Sequence, residues 1–527
     1  MVVVTHYTEV PCARGRSTIN LHSLSSKADH HPDPLKDRRA GILLHITSLP
    51  SRWENGDMGP QAYHFIDFLA DSDISVWQTL PLGPTHEDRS PYNCFSAMAG
   101  NTQLISIDAL IDAGWLTCSE VEQQLASDIP PQQRRQQLLK QAFHSFHQKA
   151  DAATHSLLTD FINDEKHWLT DYALFWAIKQ KNHGRSWIEW PTSLRDRNPS
   201  ALLDLRHELH NQIEQIQFEQ FIFFSQWRSL KQYANNKGIL LFGDIPIFVS
   251  HDSADVWVHR ECFELNNRGE PDIVAGVPPD YFSETGQRWG NPHYRWDFME
   301  KNGFSWWIER ITTQLRLYDI IRIDHFRGFE AYWSIPAREE TAINGHWVKA
   351  PGQALFKKLL QHFGTLPFIA EDLGVITSEV EALRKEFKLP GMKILQFAFD
   401  SDANNPYLPH NHEIDSAVYS GTHDNNTTCG WYNALPKQQQ QHIQEYLGFP
   451  KEAMPWSIIR SALASVAKLA IIPMQDILML DEKHRMNTPG TCEGNWNWRF
   501  HWEQLDNNTP KRLKKMIEIY NRNTKIK

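Results

Sequence analysis

A chain of 527 residues can bury a large core, and one barrel domain with insertions accommodates that length. With 53 Lys and Arg against 63 Asp and Glu the net charge is -10, which gives no basic footprint for nucleic acid or an anionic membrane. No apolar run reaches the ~18 residues of a membrane span. The scattered cysteines Cys12, Cys94, Cys118, Cys262, Cys429 and Cys492 form no C-x-x-C pair, so neither a zinc site nor a disulfide framework is expected and a reducing cytosol fits.

Residues 1–38, rich in Ser, His and Pro, lack the apolar centre of a secretory signal and read as a disordered tail or a start placed too early. Glu9, Asp29, Asp33 and Asp37 count against a transit peptide, so the expected location is cytoplasmic, with a plastid as the alternative if the tail is one after all. Short apolar runs then recur at Gly41–Ile46, Val76–Leu80, Ile239–Asp244, Ile320–Asp324, Phe368–Glu371, Met392–Phe397, Ala417–Ser420 and Leu469–Ile472. Such runs suit strands buried on both faces of a parallel sheet. Helical patterns at Gln61–Ala70, Trp306–Leu317, Gly352–His362 and Ser378–Phe387 separate them. The expectation is an α/β fold: a (β/α)8 TIM barrel over 39–527 with inserted, mainly helical subdomains. The helical insertion is placed at about 111–230, including amphipathic Ile213–Leu230, and active-site loop insertions at about 251–300 and 484–500. An open flavodoxin-like sheet would be expected to carry a Gly-rich phosphate loop, and no such motif occurs.

Three of these runs lead to an acid: Asp324, Glu371 and Asp424, after the fourth, fifth and seventh strands. In a parallel barrel that end carries catalysis. Two carboxylates flanking one bond are what glycosidic chemistry requires, so the residues point to a sugar-processing enzyme. Alternation puts Arg322 beside Asp324, where a guanidinium favours the ionised carboxylate that a nucleophile needs; a structural salt bridge is the plainer reading of the same pair. Glu371 follows Phe368-Ile-Ala370, and apolar neighbours raise a carboxyl pKa toward that of a general acid; a helix N-terminal acid is the alternative. Asp372 would point the other way. Thr422-His423-Asp424-Asn425 supplies a carboxylate for sugar hydroxyls, or a His-Asp pair satisfying a turn. The 20 tryptophans, many in loop-like sequence, suit stacking on sugar faces as well as core burial.

Longer segments carry a resemblance. Ser90-Pro-Tyr92, Gly243-Asp-Ile-Pro-Ile-Phe-Val249, His251-Asp-Ser-Ala-Asp-Val-Trp257, Gly276-Val-Pro-Pro-Asp-Tyr-Phe-Ser283, Gly286-Gln-Arg-Trp-Gly-Asn-Pro292, Asn405-Pro-Tyr-Leu-Pro409, Arg485-Met-Asn487 and Gly494-Asn-Trp-Asn-Trp-Arg499 resemble the amylomaltase type of 4-α-glucanotransferase, or disproportionating enzyme. This is the glycoside hydrolase family 77 type, related to the α-amylase superfamily. The resemblance spans Gly41 to Phe500 and implies roles. Asp324 would be the nucleophile, Glu371 the acid/base, and Asp424 the residue that binds and distorts the sugar, with Arg322 and His423 supporting. Tyr92 would stack on that sugar and Asp244 contact it. Trp289 and Asn291 would belong to one loop over the groove, and Asn495 and Trp496 to a facing one. Where the family carries Gly-Thr-His-Asp-Asn-Asp, Asn426 holds the last position here.

The implied reaction moves a segment of an α-1,4-glucan to the 4-hydroxyl of another glucan or glucose, by a retaining double displacement through a covalent glucosyl-enzyme. Its partners would be α-1,4-glucans and maltooligosaccharides, with no nucleic acid and no membrane, in a monomer or weak homodimer. No cofactor and no metal are expected, since there is no H-E-x-x-H. The competing readings are an amylase-type hydrolase with the same three acids and a silent glucan-binding protein on the same fold.

Overall fold

The computed structural model describes residues 33–279, 283–491 and 493–523. Most of the tail expected at 1–38 therefore lies outside the described residues, as do Asp280, Tyr281 and Phe282 of one family segment, Cys12 and Cys492.

Eight parallel strands form one sheet: Arg39–Leu43, Val76–Gln78, Leu240–Ile245, Ile320–Ile323, Phe368–Ala370, Gly391–Ile394, Ser416–Tyr419 and Leu469–Pro473. Each corresponds to one expected run. The first strand pairs with both the second and the eighth, so the sheet curls into a (β/α)8 TIM barrel. The ring meets between the fifth and sixth strands, where the Ala370 N–H donates to the Pro390 carbonyl at 2.9 Å. There the Asp372 carboxylate accepts the Met392 N–H at 2.7 Å and pairs with Arg384 at 3.1 Å.

Side-chain alternation divides the strands into two layers. Leu43, Val76, Phe242, Ile320, Ile369 and Tyr419 pack together inside the barrel, while Ile42, Ile321, Ile323, Val418 and Ala470 join the larger outer core. Helices Pro60–Asp71, Ser305–Leu317, Gly352–Phe363 and Ser378–Glu386 contribute to that outer layer. Between the second and third strands come Pro131–Lys149, Ala152–Asp164, Lys166–Lys181 and the 27-residue helix His210–Asn236. Two glutamines fasten this last helix. Gln220 exchanges hydrogen bonds with the Gly100 backbone at 2.8 and 2.9 Å, and Gln226 with that of Ser106 at 2.7 and 3.1 Å, so these buried amides are satisfied.

A second sheet was not anticipated. Gln287–Pro292, Ile273–Val277, Ala331–Pro336 and His346–Lys349 are antiparallel neighbours in that order. Its strands have four to six residues, several interrupted by Gly or Pro, too short to show sustained alternation. Among the described residues Cys94, Cys262 and Cys429 are free and Cys118 is disulfide-bonded. No helix among the described residues is long and apolar enough to cross a membrane.

Candidate active site

Strand register assembles the centre. Asp244 on the third strand lies opposite Arg322 on the fourth, and Ile323 opposite Ala370 on the fifth. Asp324 and Glu371 therefore follow matched positions on neighbouring strands, which run about 4.8 Å apart. Because Ile320 faces inward and Ile321 outward, Arg322 and Asp324 face inward too. Arg322 reaches both acids, with Nη1 2.7 Å from Asp244 and Nη2 2.8 Å from Asp324. Tyr92 donates its hydroxyl to the same Asp244 oxygen at 2.8 Å.

Glu371 is held by backbone. Its Oε2 accepts the His325 N–H at 2.7 Å and its Oε1 the Leu373 N–H at 3.0 Å. His325 itself is left-handed, at φ 51° and ψ 51°, a conformation uncommon for a residue with a side chain. Asp424 stands beyond the seventh strand. Its Oδ1 accepts from the Asn487 amide at 2.7 Å, Arg485 donates to its carbonyl at 3.0 Å, and His423 Nε2 lies 3.4 Å from its Oδ2.

Burial dominates the electrostatics. It pushes Asp324 up to about 8, with Glu371, Asp244 and Asp424 adding repulsion and Arg322 opposing. It also raises Glu371, against Arg322 and the two backbone N–H groups. An Asp324 held low by its arginine, as read from sequence, omits that Arg322 is shared with Asp244. Burial thus favours the protonated form of both carboxyls. Burial keeps Tyr92 protonated as a donor and lowers His423 toward the neutral imidazole.

A groove of about 950 Å³ opens over this end of the barrel. Asp324, Glu371, Asp424, Arg322, Tyr92, Trp289, Asn291, Asn495 and Trp496 all line it. The other two expected residues stand behind: fully buried Asp244 at Arg322, and His423 stacked on Tyr92 with centroids 5.3 Å apart at 15°. Trp496 closes in at 6.0 Å from the Tyr92 ring. Some expected binding side chains are engaged within the protein. Asn291 donates to the Val249 carbonyl at 2.9 Å, while Asn495 accepts the Thr488 N–H at 2.9 Å and donates to Thr491, shaping its own loop. Arg89 ties two rims of the groove, reaching Asn497 at 2.8 Å and Glu54 at 2.7 Å.

Comparison with known proteins agrees in extent. A model of the family described as 4-alpha-glucanotransferase matches residues 44–506. The chain belongs to that family. A 4-alpha-glucanotransferase of Synechocystis sp. is 50% identical over 93% of this chain and 99% of its own. One from Solanum tuberosum, described as chloroplastic/amyloplastic, is 44% identical over 92% and 86%. Among solved structures, an amylomaltase from Streptococcus agalactiae in complex with acarbose superposes with a TM-score of 0.89 at 40% identity, covering 92% of this chain and all of the other.

Several residues in or behind the groove were not legible in the sequence. Arg485 and Asn487 belong to a resembling segment, yet their grip on Asp424 needed a fold to see. The His325 amide that holds Glu371 carries no side-chain signal at all. Arg327, Trp347 and Val375 also line the groove, and Trp347 lies on the unanticipated sheet.

Proposed function

We propose that Asp324 and Glu371 carry a retaining double displacement on α-1,4-glucans. Glu371 gives its proton to the bridging oxygen while an Asp324 oxygen attacks the anomeric carbon. The glycosidic bond breaks with its electron pair on the departing oxygen, and a glucosyl ester forms on Asp324. In the second half the 4-hydroxyl of an incoming glucan or glucose attacks that carbon, its proton passes to Glu371, and Asp324 leaves as the carboxylate. The supporting observation is the matched placement of the two acids on adjacent strands, since retaining enzymes hold their carboxyls about 5–5.5 Å apart. Burial that raises Glu371 suits a residue that is acid in the first half and base in the second. Asp424, fixed by Asn487, grips the hydroxyls of the reacting sugar, and Tyr92, backed by His423, covers its face.

Transfer requires that acceptor sugar displace water from the groove, which Trp289 and Trp496 favour by stacking. The substrates are α-1,4-glucans and maltooligosaccharides. A cytoplasmic location is the corresponding proposal, with a plastid as its alternative, the Solanum tuberosum relative being described as chloroplastic/amyloplastic. The test is purified protein on maltotriose, with products resolved by length. Glucose and longer oligosaccharides at constant total reducing ends are expected. Rising reducing ends with only shorter products would instead mean hydrolysis.

A further inference from the structure

The four-stranded sheet forms one bank of the groove and presents a tryptophan from each edge strand. Trp289, on Gln287–Pro292, and Trp347, on His346–Lys349, are 38% and 39% exposed, and both line the groove. Two strands lie between, which sets the edge strands about three strand spacings, ~14 Å, apart, longer than one sugar ring.

Trp347 is held as a platform. The Arg327 guanidinium lies over its ring at 3.7 Å, and Trp333 meets it edge-on at 5.1 Å. Arg327 belongs to the turn Phe326–Phe329, just after the strand that bears Asp324. Its Nη1 also donates to the Val375 carbonyl, in the loop that follows Glu371. One guanidinium thus joins the strand of one catalytic acid, the loop of the other, and the exposed indole. Leu373, Gly374 and the 64% exposed Val375 continue the same wall.

The chemistry says which part of the substrate meets that wall. The oxygen that Glu371 protonates belongs to the departing chain, and the acceptor arrives by the same route because the second half-reaction mirrors the first. We infer that Trp347, positioned by Arg327, is a binding platform for the distal sugars of an oligosaccharide acceptor, one that glucose is too short to reach. This rests on the transferase reading above and adds an acceptor preference to it.

The experiment uses maltosyl fluoride as donor at fixed concentration. Unlabelled glucose, maltotriose and maltohexaose serve as acceptors, and the initial rate of extension is read by chain length in mass spectra. In the wild type kcat/KM should rise with acceptor length. In Trp347→Ala the ratio of kcat/KM for maltohexaose to that for glucose should fall roughly three- to tenfold, the worth of one aromatic stacking contact. Trp347→Phe, which keeps a flat ring, should recover most of the ratio. An unchanged ratio in Trp347→Ala, or a ratio lost equally in Trp347→Phe, overturns the platform. Absence of any extension by the wild type overturns the transferase reading and this proposal with it, so the two failures are distinguishable.

Discussion

On the barrel side of the groove, Asp244 and Arg322 are almost sealed from water and joined at 2.7 Å. On the outer-sheet side, Trp289 and Trp347 leave more than a third of their surface open. On the proposed mechanism the barrel side meets charge that develops during reaction, for which dipoles fixed in advance and shielded from solvent are suited. The sheet side, proposed to meet neutral sugar rings, offers flat exposed faces. One groove thus combines a rigid reacting centre with a wettable track, and substitutions on the two sides should differ in kind.

The largest effects belong to the barrel. Glu371→Gln and Asp324→Asn should each lower kcat for maltotriose disproportionation by about 10⁴-fold or more, far beyond anything on the sheet. A loss below tenfold for either would erase the distinction between the two sides.

The same burial also predicts a stability signature. Asp324 ordinarily titrates at 3.8 and stands at about 8 in the fold, so between those values the folded state holds the proton more tightly than the unfolded one. Stability therefore falls as pH rises through this window, and an asparagine cannot follow. The melting temperature of Asp324→Asn, measured against the wild type, should gain more at pH 8 than at pH 5. An advantage that stays constant with pH would show that Asp324 does not carry the burial strain assigned to it.

The smallest effect is expected at the exposed rim, where Arg89 bridges Glu54 and Asn497. Exposed pairs of this kind are worth about 0–1 kcal/mol. Arg89→Ala should raise KM for long glucans by no more than roughly fivefold, with kcat little altered. A large fall in kcat would move this tether from the rim to the reacting centre.

What the sequence disclosed follows the same division. The barrel strands were legible because burial on both faces makes them short apolar runs, and an acid after such a run, as at Ala370-Glu371, is conspicuous. The protonation balance was not, because Arg322 serves Asp244 as well, and that sharing comes from register between distant segments. The outer sheet was hidden for a local reason. Gly276, Gly290 and Pro292 interrupt its strands, and Trp347 follows Gly345-His346, so no period emerges. Backbone groups such as the His325 N–H are invisible to any reading by side chain.

Glu371 and Asp372 are consecutive acids with unrelated employment. One lines the groove, while the other clasps Met392 and Arg384 across the place where the ring of strands meets itself. Substitution can therefore tune either residue alone, but a single inserted or deleted residue at this point shifts both together. An insertion at 371–372 would therefore open the barrel in the same step that displaced Glu371.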